Sequence, residues 1–461
     1  IIKLYKINDS TPAQLNIQVK VSANVYDDNL DKVLIQVDPP ANAPYNITAQ
    51  SLGSEYYNDT TILNQVGQWI FTFFANDTFG NNATSRIALD LDQNPYINVT
   101  NNKLFSTNDI QSIHSTPLDT NKFALAWCDQ TESDITVAVY YTNLTTIIEP
   151  VDVDSSSVCN STANNQVGIS AFNSTAIVVA WNNENLDDVL FSTYTINSTN
   201  LTAMSSVVTV NGNAGTGKAV SVSTFNATTF VIGWANGTDA GTINGITFAA
   251  YSMNGTVVKA ATPIISNRGG KTVSISAFER ETEFDLSSFV IAYHDVVGSD
   301  LNYSTHYLNG SIIRSTTVDA AVGGSTAMNV SVSVATLNNS VFAIAFYDSI
   351  DLDVTFATYN IIGTAITSPT DVDTDVGTAA SVSVSALNST AFIVGYYDNT
   401  DTDVTFAEYL LNGTTLVAPT DIDLTARQYQ DISSSLVAPQ IGLCGDNFIS
   451  GRKSIQIPVI L

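Results

Sequence analysis

The residues of this chain best suited to chemistry are its acids, and their most regular group is Asp371-Val372-Asp373-Thr374-Asp375-Val376-Gly377. Oxygen ligands at alternate positions, ahead of a glycine that permits a tight turn, suit a hard cation that takes six or more oxygens. Asp371, Asp373 and Asp375 are therefore candidate calcium ligands, and no other cofactor is called for. The segment lacks a bidentate Glu at the downstream distance of a complete calcium loop, so the competing reading is a strand end with solvated carboxylates. The turn Asp398-Asn399-Thr400-Asp401-Thr402-Asp403 is a lesser candidate. Further acids cluster as Asp129, Glu132 and Asp134, as Glu184, Asp187 and Asp188, and as Asp348, Asp351 and Asp353. Paired carboxylates are the equipment of glycoside hydrolysis, but no pair is marked by apolar neighbours that would raise one pKa. The three histidines form no metal or nucleophile constellation. His306 takes a repeat position held elsewhere by Tyr140, Tyr194, Tyr251, Tyr359 and Tyr409 and reads as core, and His294-Asp295 reads as a turn pair.

Most of these acids sit at one place in a repeated phrase. An apolar run ends on an aromatic residue (Trp127, Trp181, Trp234, Tyr293, Phe346, Tyr396), an acidic or Asn-rich turn follows, and a second run closes on Asn or Gly. Each copy predicts a β-hairpin. Two more strand-like runs separate successive hairpins, so the period is four short strands in roughly 50 residues, that of a propeller blade rather than a helical solenoid. A weaker seventh copy lies at 440–446. Seven blades close a ring, and the seventh runs out of chain one strand short. The segment 96–105 precedes the first blade as an outermost strand should, and it is expected to complete the seventh.

The first ~95 residues lack this phrase and alternate differently, as in 15–21 and 32–37. They run into an aromatic strand with Trp69, Phe71 and Phe73 on one face, then Asp77-Thr78-Phe79-Gly80-Asn81. That closing strand resembles those of immunoglobulin-like modules in archaeal and bacterial surface proteins, and the period-2 runs fit a two-sheet sandwich. The repeats are similar to those of secreted surface and adhesin-like proteins, a likeness that implies an extracellular propeller and no particular activity. Sialidase-type propellers carry an arginine cluster and Ser-x-Asp-x-Gly-x-Thr-Trp boxes, and neither stands in this sequence. The expected fold is all-β, with an immunoglobulin-like β-sandwich over 1–95 and a seven-bladed β-propeller over 96–461 closed by strand 96–105. The opening run 1–7 alternates as an added strand would, pairing either in its own module or, the favoured outcome, with a neighbouring subunit.

Compartment and partners come from composition. A formal charge of −27 with only 16 Lys and Arg excludes nucleic acid as a partner, because phosphate neutralisation needs clustered cations. No apolar stretch is long enough to span a membrane. Asn-x-Ser/Thr occurs twenty times, and such sequons act as acceptors only in exported chains. Labelling the strands of a blade A to D from the inside, Asn173, Asn226, Asn338 and Asn388 fall in A–B turns. Asn143, Asn197, Asn254, Asn309 and Asn412 fall in C–D turns. Both kinds of turn emerge on one side, which is predicted to carry glycan, while the acids collect on the B–C and D–A side. The bland alternative is that Asn and Asp populate hairpin turns for backbone reasons. Cys128 and Cys159 are placed to form a disulfide in an oxidising compartment, with three buried thiols as the alternative.

These features together predict a non-enzymatic, glycosylated extracellular structural protein at the cell surface, a subunit of a surface layer or extracellular filament on an archaeal envelope. Its partners would be further copies of itself in a filament or lattice, together with N-linked glycans. The alternative is a carbohydrate-binding or cell-adhesion protein using the acidic side, and the third reading is a secreted glycoside hydrolase.

Overall fold

In the computed structural model the described residues contain strands, turns and no helix. The structure describes residues 2–6, 17–25, 29–40, 42–52, 55–63, 67–91, 99–106, 110–129, 131–155, 167–183, 185–186, 188–211, 219–237, 243–266, 272–278, 287–295, 297–320, 322, 331–377, 381–423, 432–437, 440–449 and 452–460. They fall into two compact units, Ile1–Tyr96 and Ile97–Leu461.

The first unit holds two antiparallel four-stranded sheets, one ordered Ile2–Lys6, Ile17–Asn24, Glu55–Leu63, Gln50–Leu52 and the other Tyr45–Thr48, Leu30–Asp38, Gly67–Asp77, Asn82–Leu91. Residues alternating along a strand point to opposite faces. Val33, Ile35, Val37, Trp69, Phe71 and Phe73 therefore share one face of the second sheet, and they pack with Val21 and Ala23 of the first. In the Asp77–Asn81 turn, Asp77 Oδ1 accepts the backbone N–H of Phe79 and of Asn81, and Gly80 takes the left-handed conformation (φ 88°) that completes it. The opening strand differs from the favoured expectation of intermolecular pairing. Ile2–Lys6 lies antiparallel to Ile17–Asn24 of its own unit, with Leu4 opposite Val21.

The second unit is a succession of antiparallel sheets in which strands A to D follow one another outward. Blade 1 is Ile110–Asp119, Lys122–Asp129, Asp134–Tyr141 and Thr146–Asp154. Blade 2 is Val167–Asn173, Ala176–Asn183, Asp188–Ile196 and a D strand split into Leu201–Ala203 and Val208–Asn211. Blade 3 comprises Val220–Asn226, Thr229–Gly237, Ile243–Ser252 and Val257–Ser266, and blade 4 Val273–Phe278, Ser288–Asp295, Asp300–Tyr307 and Ile312–Asp319. Blade 5 comprises Val332–Thr336, Val341–Asp348, Asp353–Asn360 and Ala365–Asp373, and blade 6 Val382–Ala386, Ala391–Asp398, Asp403–Leu410 and Thr415–Asp423. In the last sheet Ile432–Val437, Gln440–Ile449 and Arg452–Ile460 are joined by Val99–Ser106, which pairs antiparallel with Arg452–Ile460. Each A strand packs beside the A strand of the next sheet, and that of the last sheet packs beside that of the first. This is a propeller-like arrangement.

Burial explains the sequence pattern. Strands B and C are covered on both faces by neighbouring blades, so a strand such as Ala391–Asp398 is buried throughout and reads as a continuous apolar run. Strand D is the outer edge and is mostly exposed, as in Ala365–Asp373. The apolar clusters lie between blades. One joins Phe356 and Tyr347 of blade 5 to Tyr396 and Tyr409 of blade 6, another Phe248 of blade 3 to Phe289 of blade 4. An aromatic of one C strand meets the next blade in repeated fashion, with ring centroids 4.9 Å apart for Tyr303 and Tyr359 and 4.4 Å for Phe356 and Tyr409.

The A strands pose a separate problem, because their inner edges have no ladder partner. Serine and threonine supply one. Ser221 Oγ accepts the N–H of Ile275 (3.1 Å), Ser223 that of Ala277 (3.0 Å), Ser274 that of Val334 (3.0 Å), Ser276 that of Thr336 (3.1 Å) and Ser333 that of Val384 (3.0 Å). Ser112, Thr116, Ser170 and Ser331 do the same for their following blades. The Ser-Val-Ser-Val pattern of these strands is thus a hydroxyl on one blade for each exposed amide on the next. Ser276→Ala removes an acceptor from a part-buried N–H and should cost about 1 kcal/mol. Ser315→Ala on an exposed outer strand should change stability by less than about 0.5 kcal/mol. Urea unfolding of the two variants checks the difference, and equal midpoints would refute the hydroxyl's role.

Candidate functional site

The acidic turns are built alike. In blades 1, 2, 4, 5 and 6 the B strand ends on Asp or Asn, and that side chain folds back over the B–C turn. Asp129 Oδ1 accepts the N–H of Thr131 and Glu132, and Asp348 Oδ1 those of Ile350 and Asp351. Asp398, Asp295 and Asn183 repeat the arrangement. The residue before strand C is left-handed at Ser133, Ser299, Leu352 and Thr402 (φ 59° to 60°), which turns the chain back into register. Strand C then opens on a second Asp directly opposite the first, in the pairs Asp129–Asp134, Asp295–Asp300, Asp348–Asp353 and Asp398–Asp403.

A third carboxylate arrives from strand D. Thr136 Oγ1 lies 3.0 Å from Asp134 and 3.4 Å from Asp152, Thr355 Oγ1 lies 3.1 Å from Asp353 and 3.3 Å from Asp371, and Thr405 Oγ1 lies 3.0 Å from Asp403 and 3.1 Å from Asp421. One hydroxyl carries one proton, so it can serve only one carboxylate of each pair. Burial pushes the Asp134 carboxyl up to about 6, and the nearby charges of Asp152, Asp129 and Glu132 act in the same direction against the Thr136 hydrogen bond. Asp353 and Asp403 are raised to about 6 by the same causes, burial first. The expectation that no acid is singled out by its surroundings is corrected here, since the covering surfaces come from neighbouring strands and blades.

Blade 1 carries Glu132 where blades 5 and 6 carry Asp351 and Asp401. There one oxygen each of Asp129, Glu132 and Asp134 lie within 4.8 Å of one another, the one such group among the described residues. Asp129 and Asp134 are buried at the turn's base, and Glu132 is exposed at its tip. The structure separates Asp371, Asp373 and Asp375 by partner instead. Asp371 faces Thr355, Asp373 accepts the Tyr396 hydroxyl of the next blade at 2.9 Å, and Asp375 lies 3.4 Å from Thr400 Oγ1. The segment serves as a connector between blades 5 and 6, with the Tyr347 hydroxyl donating to the Gly377 carbonyl at 2.8 Å. Asp154 plays the Asp373 role between blades 1 and 2, accepting Trp181 Nε1 at 2.8 Å.

Cys128 is buried and disulfide-bonded, while Cys159 lies outside the described residues and the Cys444 side chain is likewise not described. Asn143, Asn173, Asn197, Asn226, Asn254, Asn309, Asn388 and Asn412 are exposed in their turns, and Asn338 is half-buried. His306 is core, stacked on Phe289 with centroids 5.3 Å apart, and burial depresses it to about 4. Glu408 escaped the sequence reading. It is fully buried with neither carboxyl oxygen hydrogen-bonded among the described residues, and burial raises it to about 8. It replaces Thr193, Thr305 and Thr358, whose hydroxyls donate to carbonyls of the following blade, and that break in the repeat was its only signal.

A carboxyl raised on folding binds protons more tightly in the folded state, so its contribution is complete below the unfolded pKa and lost as pH rises through the folded one. The melting temperature should therefore fall as pH rises through 6, where Asp134, Asp353 and Asp403 ionise, and again through 8 for Glu408. The triple variant D134N/D353N/D403N should flatten the first decline and Glu408→Gln the second in thermal scans from pH 4.5 to 9. Unchanged slopes would contradict the assignment.

No protein-family model matches the chain, and no curated protein matches it in sequence. Among solved structures it is similar to a Hadza microbial sialidase (10% identity, 99% of this chain and 94% of that one, TM-score 0.38). It is also similar to an ancestral GH74 enzyme (10% identity, 97% and 64%, TM-score 0.46) and to a prolyl endopeptidase (12% identity, 83% and 52%, TM-score 0.41). The chain thus spans about two thirds of the GH74 enzyme's length and about half of the endopeptidase's. These neighbours are enzymes, mainly glycoside hydrolases, which runs against the expectation of a non-enzymatic structural subunit. At such low identity they transfer no substrate, so a particular chemistry has to rest on this chain's own residues.

Proposed function

We propose that the chain is an extracellular glycoside hydrolase, built as an immunoglobulin-like sandwich followed by a seven-bladed propeller, with its reacting groups at the B–C turn of blade 1. The observation that carries this reading is the convergence of Asp129, Glu132 and Asp134 within 4.8 Å, with Asp134 raised to about 6. Cleavage of a glycosidic bond needs one carboxyl that keeps its proton near working pH and a second that is ionised. Asp134 is suited to the first role, donating to the leaving oxygen, and Glu132 at the turn's exposed tip is the nearby carboxyl placed to face the sugar. Asp129, tied to the turn's backbone by its Oδ1, is a positioning residue. Separations of roughly 5 to 5.5 Å belong to retaining enzymes and wider ones to inverting enzymes, so the close approach favours retention. The disulfide at Cys128 supports an oxidising, extracellular setting.

The test is reducing-end release from a panel of neutral and acidic polysaccharides between pH 4 and 7. Activity should fall as pH rises above 6, where Asp134 loses its proton, and Asp134→Asn and Glu132→Gln should each lower it by about 100-fold or more. Asp353→Asn alters the equivalent acid of blade 5 and should leave the rate unchanged. No release from any polysaccharide, or equal damage from Asp353→Asn, would overturn the proposal.

A further inference from the structure

Eleven of the sequon asparagines fall into two structural kinds. In Asn143, Asn173, Asn226, Asn254, Asn309, Asn388 and Asn412 the side chain is exposed in a turn, and its Oδ1 accepts the N–H of the sequon's own Ser or Thr at 2.8 to 3.1 Å. In these seven, Nδ2 meets no acceptor among the described residues. In three A–B turns of this group the sequon hydroxyl also donates to Oδ1, at Asn173, Asn226 and Asn388. The carboxamide is thereby held through its oxygen, with its nitrogen directed away from the turn.

Four other sequon asparagines are engaged. Asn338 donates its Nδ2 to the Ser389 carbonyl of the next blade at 3.0 Å, while its Oδ1 takes the N–H of Ser340 and of Val341. Asn302 lies within strand C and accepts the Thr317 hydroxyl at 2.8 Å. Asn236 sits in strand B opposite Gly245 and accepts Asn211 Nδ2. Asn58 is buried in a strand of the first unit.

We propose that the seven exposed asparagines carry N-linked glycans and that Asn58, Asn236, Asn302 and Asn338 do not, although all share one sequence motif. Attachment forms a bond between Nδ2 and the anomeric carbon of an oligosaccharide carried on a lipid phosphate or diphosphate. It breaks the anomeric carbon–oxygen bond to that phosphate, which leaves with the electron pair, and the amide gives up one proton. The product needs Nδ2 clear of protein and room for a sugar beyond it, which the seven turns provide. At the other four, a glycan displaces a hydrogen bond or enters a packed sheet.

A–B and C–D turns lie at the same end of an antiparallel sheet, so these glycans share one side of the second unit. That side includes the mouth of a cavity of about 470 Å³ lined by Ser170, Ser223, Ser276, Thr336 and Asn388. Sugar chains around it would exclude macromolecules there and leave the B–C turns open. The inference stands whether or not those turns are catalytic.

Intact glycopeptide mass spectrometry of the protein from its native source tests it. The expected result is glycan on at least four of the seven exposed asparagines, with Asn58, Asn236, Asn302 and Asn338 recovered unmodified. Glycan on fewer than four of the seven overturns it, as does occupancy of the four engaged asparagines equal to that of the exposed ones.

Discussion

The constraint on which the rest of the second unit depends is the inner edge of its A strands. Those strands sit side by side around a centre with no room for another strand, yet their edge amides need acceptors. Hydroxyls solve this without a ladder. Ser221, Ser223, Ser274, Ser276 and Ser333 each reach across one blade boundary, so the interfaces from blade 3 to blade 6 are fixed in register by side chains that are short and hold few rotamers. Larger acceptors would not fit at that spacing, and apolar residues would leave the amides dry.

With the centre fixed, strands B and C have neighbours on both faces and polar chemistry is displaced to their ends. Thr193, Thr305 and Thr358 satisfy carbonyls at one end, and the Asp–Asp pairs gather at the other. The pairs are forced together by register, because a B–C turn of this length places its first and last aspartates opposite one another. Their mutual repulsion is tolerated because one member can retain a proton and backbone N–H groups of the turn support the other. Repetition in blades 1, 5 and 6 gives this arrangement a structural purpose, and the longer Glu132 in place of Asp351 and Asp401 sets blade 1 apart.

Much of the architecture was legible from periodicity, since alternation, turn residues and a recurring phrase are local properties of the chain. The strands of the first unit, the A-to-D order and the sequon positions in turns all belong to this class. The acids were visible but their states were not. Asp371, Asp373 and Asp375 have the spacing of cation ligands, yet the structure gives Asp373 to Tyr396 and Asp371 to Thr355. Spacing along a chain does not record what a neighbouring blade brings to the same point. Glu408 makes the same case, because only its burial between blades turns an ordinary residue type into a neutral acid.

The sequence by itself therefore determined the strands, the turns, the repeat length and the chemical inventory at each turn, since each depends on residues within one hairpin. Only the tertiary structure decided which carboxyl keeps a proton, which asparagine has a free amide nitrogen and where the opening strand pairs. Those outcomes depend on desolvation and on partners brought in from other strands or the next blade, such as Tyr396 for Asp373 and Ser389 for Asn338, or on a choice between partners that a local pattern leaves equal.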